Sequence, residues 1–196
     1  MTGTQGAMPT PQPEERVEAM LAVLKRSAAA LRDRDIPYAL AGGLGLWARG
    51  APVSDHDVDL LVKADDVDRA LAALGDIGFE TCRPPEGWLV KAVDGDVVVD
   101  LIFDPTGVTV DDDLLARCDD VNVHAMPMPV ARPEDIVISR LLSQTEQSMD
   151  YEGLLGSARA LREQIDWGEV RARTAHSPFA AAFFVLCEGL GIVAAA

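Results

Sequence analysis

Basic residues are scarce in this chain. Seventeen Lys and Arg stand against 32 Asp and Glu in 196 residues, a formal net charge of −15. A field of that sign keeps a protein soluble and repels nucleic acid, so any phosphate-bearing partner needs a local basic pocket or bound cations. Cysteine is scarce too. Cys82, Cys118 and Cys187 are odd in number, far apart and in no zinc spacing. That argues against a disulfide framework and predicts reduced, buried thiols in a cytoplasmic protein. No charged-then-apolar leader opens the chain, so export is not expected. Long hydrophobic runs are also lacking. The most apolar stretch, FAAAFFVLCEGLGIVAAA, is interrupted by Glu188, Gly189 and Gly191. It predicts a packed helix ending at a glycine rather than a membrane partner.

Hydrophobic residues nevertheless make up 48% of the sequence, enough for a sizeable core. Residues 1–13 have no periodicity and predict a disordered arm. Val17, Met20, Leu21, Leu24, Ala28 and Leu31 recur at helical spacing up to Pro37. A short strand at Tyr38–Ala41, a Gly42-Gly43 turn and a short helix to Arg49 follow. Strands are expected at Val58–Val62, Phe79–Cys82, Trp88–Val93, Val97–Phe103 and Val121–Met126, with helices at 65–74 and 111–118. Gly95 between Asp94 and Asp96 signals a hairpin. From Pro133 onward only helices are expected, at 133–145, 151–164, 166–175 and 177–190. The fold class is therefore α/β (α+β), with a core at residues 14–130 and a C-terminal helical bundle at residues 131–196.

Asp-x-Asp spacing occurs six times in so acidic a chain, so the spacing alone says little. Context singles out Asp57 and Asp59, which lead directly into the apolar run Leu60-Leu61-Val62. Residues two apart on a strand face the same way, and two carboxylates held together repel unless a cation sits between them. Asp100 interrupts the otherwise apolar strand Val97–Phe103. Burying a carboxylate is costly unless it is paired or bound to metal. Three converging carboxylates would make a hard-oxygen site suited to magnesium. Gly42 and Gly43, at the head of a helix, would let backbone N–H groups approach a phosphate. The blander reading makes Asp57 and Asp59 turn caps and puts Asp100 on a sheet edge.

The combination of Gly42-Gly43, then Asp57 and Asp59, then Asp100 resembles the nucleotidyltransferase superfamily, the DNA polymerase β-like fold, over residues 36–104. The resemblance implies a mixed sheet flanked by helices and a nucleoside triphosphate donor such as ATP. It also implies two Mg2+ ions: Asp57 and Asp59 would ligate both, and Asp100 would ligate the catalytic one and help deprotonate an acceptor hydroxyl. ARPEDIVISRLL followed by Asp150 is similar to the helical extension of bacterial nucleotidyltransferase toxins of the abortive-infection type, and antibiotic-modifying members have related extensions. Arg140 takes the place of a Lys common there, and Asp150 that of a later Asp.

Pro52, Val53 and Ser54 stand where relatives often carry a basic residue. Phosphate contacts then fall to Arg49, Lys63, Lys91 or Arg140. His56, between Asp55 and Asp57, reads as structural; His124 and His176 read as ordinary core or surface residues. Trp47, Trp88 and Trp167 read as core or rim, with Trp88 able to stack a base. The resemblance points first to RNA, the tRNA 3′ end, as acceptor, with a cognate antitoxin as partner. The alternatives are a small antibiotic-type acceptor, or an antitoxin or binding module acting on a protein.

Overall fold

The computed structural model describes residues 13–53 and 57–194, so residues 1–12 of the expected 1–13 arm and His56 lie outside the described residues, while Pro13 already belongs to a helix. Helix α1 (Pro13–Arg32) buries Met20, Leu21, Leu24, Ala28 and Leu31, the stripe its spacing implies. It stops because Asp35 adopts φ +51 and Ile36 N–H donates back to the Leu31 carbonyl, a left-handed closure. Strand β1 (Tyr38–Leu40), helix α2 (Gly42–Trp47) and strand β2 (Val58–Val62) follow. After one 3-10 turn (Ala64–Asp66) come α3 (Val67–Asp76), β3 (Glu80–Cys82), β4 (Leu89–Asp94) and β5 (Val97–Ile102). Asp94 pairs with Val97 around a two-residue turn in which Gly95 takes φ +62, the expected hairpin.

Helix α4 (Asp112–Ala116) leads to β6 (Asp119–Val123) and β7 (Met126–Val130). The single strand expected at Val121–Met126 is thus two strands. His124 and Ala125 both take positive φ, +47 and +65, and turn the chain back on itself. That geometry is the primed turn that twisted hairpins prefer, reached here without its usual Asn or Gly. Helices α5 (Pro133–Leu142), α6 (Glu152–Leu161), α7 (Trp167–Thr174) and α8 (Pro178–Gly189) complete the described chain. None of its helices is long and apolar enough to cross a membrane.

The strands form one mixed sheet in the order β3-β4-β5-β2-β1-β7-β6. The pairs β2/β5 and β1/β7 are parallel, and the others are antiparallel. β7 joins β1 through one residue pair only, Leu40 with Val130. Ala131 N–H points at the Leu40 carbonyl. Pro127 and Pro129 share that parity, and proline has no N–H to extend the ladder toward β1.

Strand alternation splits the core in two. Val58, Leu60, Val62, Val99 and Leu101 face α1 and α3. Ala39, Ala41, Leu61 and Ile102 face α5 and the helices after it. Asp57, Asp59 and Asp100 share the parity of this second set. They come out beneath α5 because the apolar residues between them claim the other face.

Candidate active site

Parallel pairing sets Asp59 directly beside Asp100, in register across β2 and β5. Asp57 lies one pleat earlier on the same side as Asp59. The consequence is electrostatic. Burial, and then the charges of Asp100 and Asp57, push the Asp59 carboxyl up to about 7. Burial also raises Asp100, but its bonds to Lys91 pull part of that back. Lys91 stands opposite Asp100 in the β4/β5 ladder, and its Nζ donates to both carboxylate oxygens, at 2.8 and 2.9 Å.

Gly42 closes the site from above. It takes φ +58, and a Cβ placed there would lie 1.7 Å from Asp59 Oδ2. Glycine is therefore required twice, by backbone conformation and by the approach of the Asp59 carboxylate. Ala41, at the head of α2, offers no side-chain cap. The N–H groups of the first turn of α2 have no partner within the helix, and Gly42 and Gly43 line the cavity beside them.

That cavity holds about 580 Å³ and runs from Gly42, Gly43 and Asp59 under α5 to Thr106 and Leu142. Arg140 lines it, and its charge acts on Asp59. Among the described residues no carboxylate lies within ion-pair distance of Arg140. Trp88 lines the same cavity and is 40% exposed.

The other expected cations go elsewhere. Lys63 does not reach the cavity: four residues along β2 from Asp59 is roughly 13 Å at strand rise. Its ammonium bonds Asp112 at 2.7 Å instead. Arg49 spans Asp119 and the carbonyls of Val130 and Ala131. Asp150 sits just before α6, where its carboxylate accepts from Glu152 N–H, and does not line the cavity. We expect Arg140→Met to raise the KM for a phosphate-bearing substrate at least tenfold, on the order of one lost charge-assisted contact. Lys63→Met should leave it within about twofold, since only a part-exposed ion pair is lost. Steady-state kinetics on the two variants separates them.

One part of the wall carried no clear signal in the sequence. Asp135 and Glu134, in the first turn of α5, are buried. Asp135 lines the cavity while accepting from Arg117 and Arg173. Arg173 continues to Glu169, and Arg132 joins Glu169 to Glu134. These pairs tie α5 to α4 and α7 and hold the helix that carries Arg140. Only the Glu-Asp run at a helix start hinted at it.

A family model described as aminoglycoside-2''-adenylyltransferase matches residues 23–145. The chain belongs to that family. It is a nucleotidyltransferase, of the antibiotic-modifying branch of the superfamily. In fold it resembles ANT(2'')-Ia crystallised in complex with adenylyl-2''-tobramycin, at TM-score 0.63 and 15% identity over 84% of this chain and 99% of that one. The solution structure of the antibiotic-resistance factor ANT(2'')-Ia gives the same TM-score and identity over 89% and 98%. A protein from Thermotoga maritima, TM1012, aligns at TM-score 0.51 and 18% identity over 61% and 81%. No curated protein matches the sequence. The RNA-directed expectation, with tRNA as acceptor and an antitoxin as partner, gains nothing from these likenesses.

The donor types suit a divalent ion, although among the described residues no three of them are gathered closely enough to hold one as they stand. Asp57, Asp59 and Asp100 offer only hard oxygens, Asp59 and Asp100 are paired in register, and the charges of Asp100 and Asp57 make the Asp59 carboxylate harder to ionise. A cation of charge +2 relieves that repulsion.

Proposed function

We propose that this adenylyltransferase-family protein moves a nucleoside monophosphate, AMP by its family's description, from a nucleoside triphosphate to a hydroxyl of a small aminoglycoside-like molecule. The observation that carries the reading is the register pairing of Asp100 with Asp59, which lines a cavity together with Gly42, Gly43 and Arg140.

In this reading Asp57 and Asp59 would hold two Mg2+ ions, and Asp100 would be a ligand of one. When bound, those ions supply Lewis-acid neutralisation of the triphosphate. The first-turn N–H groups of α2 and the Arg140 guanidinium bind phosphate oxygens. Trp88 stacks the base or the acceptor ring. Asp100 takes the proton of the acceptor hydroxyl. The new oxygen bond to the α-phosphorus forms as the bond to the β-phosphate breaks, and pyrophosphate leaves with that electron pair. Labour divides along the chain: residues 14–130 carry the acids, and residues 131–196 supply Arg140 on α5. The net charge of −15 favours a cationic small acceptor over tRNA.

The test is transfer of label from α-labelled ATP, with Mg2+, to a panel of aminoglycosides, lincosamides and total tRNA. Label on an aminoglycoside is expected. Label on tRNA alone would return the protein to the RNA-directed reading, and label on nothing would end the transferase proposal.

A further inference from the structure

Lys91 is a cation already inside the acid cluster. Its Nζ takes both oxygens of Asp100, and the charges of Asp100, Asp57 and Asp59 all act on it. Its side chain is 30% exposed and that of Asp100 10%. The pair is therefore reachable from solvent at the lysine end and closed at the carboxylate end. Among the described residues no three His, Cys, Asp or Glu side chains are gathered so as to hold an ion. With the ammonium across both Asp100 oxygens, Asp59 receives only the longer-range charges of Lys91 and Arg140.

We propose that Lys91 is a built-in placeholder for the divalent ion: without the ion it neutralises Asp100, and the ion binds by displacing it. The inference rests on the proposed metal-dependent function and adds to it a positioning residue. Two cations on one carboxylate repel, and within a site of low dielectric that repulsion is strong. A lysine stem is long and flexible enough to withdraw its charge toward water. Displacement has two consequences that a fixed structural ion pair lacks. The ion must compete with the ammonium, which lowers its affinity. The displaced amine must become more exposed.

Both are measurable on the full chain with Mn2+ as the probe. Binding is titrated by electron paramagnetic resonance for the wild type and for Lys91→Met. The amine reactivity of the wild type is read by acetylation and peptide mass spectrometry, with and without Mn2+. Lys25 and Lys63 are the only other lysines and serve as internal controls. The proposal expects Lys91→Met to bind Mn2+ about tenfold more tightly, the order of one nearby charge removed. It also expects Mn2+ to raise the acetylation rate at Lys91 and to leave Lys25 and Lys63 unchanged. Equal or weaker binding by the variant overturns it, as does a Lys91 rate that stays level or falls. Should the variant not fold, the labelling of the wild type decides alone. Mn2+ bound by neither protein would sink the metal-dependent function itself, whereas Mn2+ bound equally by both removes only the role of Lys91.

Discussion

Asp59→Asn should abolish nucleotidyl transfer and, in metal-free protein at pH 8, raise the melting temperature by several degrees. Loss of activity follows from removing the carboxylate that stands between Asp57 and Asp100. The gain in stability follows from the sign of its shift. The folded-state pKa of Asp59 is raised, from 3.8 to about 7, chiefly by burial. A raised acid binds its proton more tightly in the folded state. Its contribution is therefore fully present below pH 3.8 and is lost as pH rises through 7. Above that, holding the charge in the fold costs about 4 kcal/mol at most, at 1.36 kcal/mol per unit. Asn carries no charge to hold.

Calorimetry across pH tests this. The two proteins should melt together near pH 4 and diverge as pH rises to 8, by roughly 2–4 °C per kcal/mol for a chain of this size. Saturating Mg2+ should close the gap by stabilising the wild type and not the variant. A variant that melts lower than the wild type at pH 8 would show that Asp59 is a structural group rather than a strained one. The expected pattern is the usual trade of stability for activity at a functional site.

The strain at Asp59 also marks what the sequence could convey. The apolar alternation Val58, Leu60, Val62 fixes which way Asp57 and Asp59 turn, and the same alternation turns Asp100. Gly95 between two aspartates makes the hairpin legible, and Gly42-Gly43 before an apolar helix marks the tight turn. Each of these signals lies within a few neighbouring residues. What stayed hidden depends on partners far along the chain. Nothing local to Lys63 says that β2 carries it away from the acids and toward Asp112. Lys91 looks like one more candidate for phosphate until the β4/β5 register sets it on Asp100. Asp135 finds Arg173 across 38 positions. The His124-Ala125 turn escaped notice because its residues pay a local strain that the pairing of β6 with β7 overrides.

Gly42→Ala should cost activity and stability together, the opposite coupling to Asp59→Asn. An alanine at φ +58 costs about 1–2 kcal/mol in backbone strain alone. Its methyl group would also sit 1.7 Å from Asp59 Oδ2 and 2.5 Å from Cγ, so the carboxylate must move. Overpacking of that kind typically adds about 1–3 kcal/mol. A displacement of about 1 Å in a group that positions the reacting phosphate can cost roughly a hundredfold in rate. We expect kcat to fall at least that far and the melting temperature to fall by about 5–10 °C. The cause can be isolated by a double-mutant cycle. Asp59→Ala removes Oδ2 and Cγ and leaves only the 2.9 Å contact with its Cβ. On that background Gly42→Ala should lose little more than the backbone strain, giving a coupling on the order of 1–2 kcal/mol between two residues that face each other. Additive effects would mean that the glycine is kept for its φ angle alone. The closeness of α2 to Asp59 would then have no part in shaping the site.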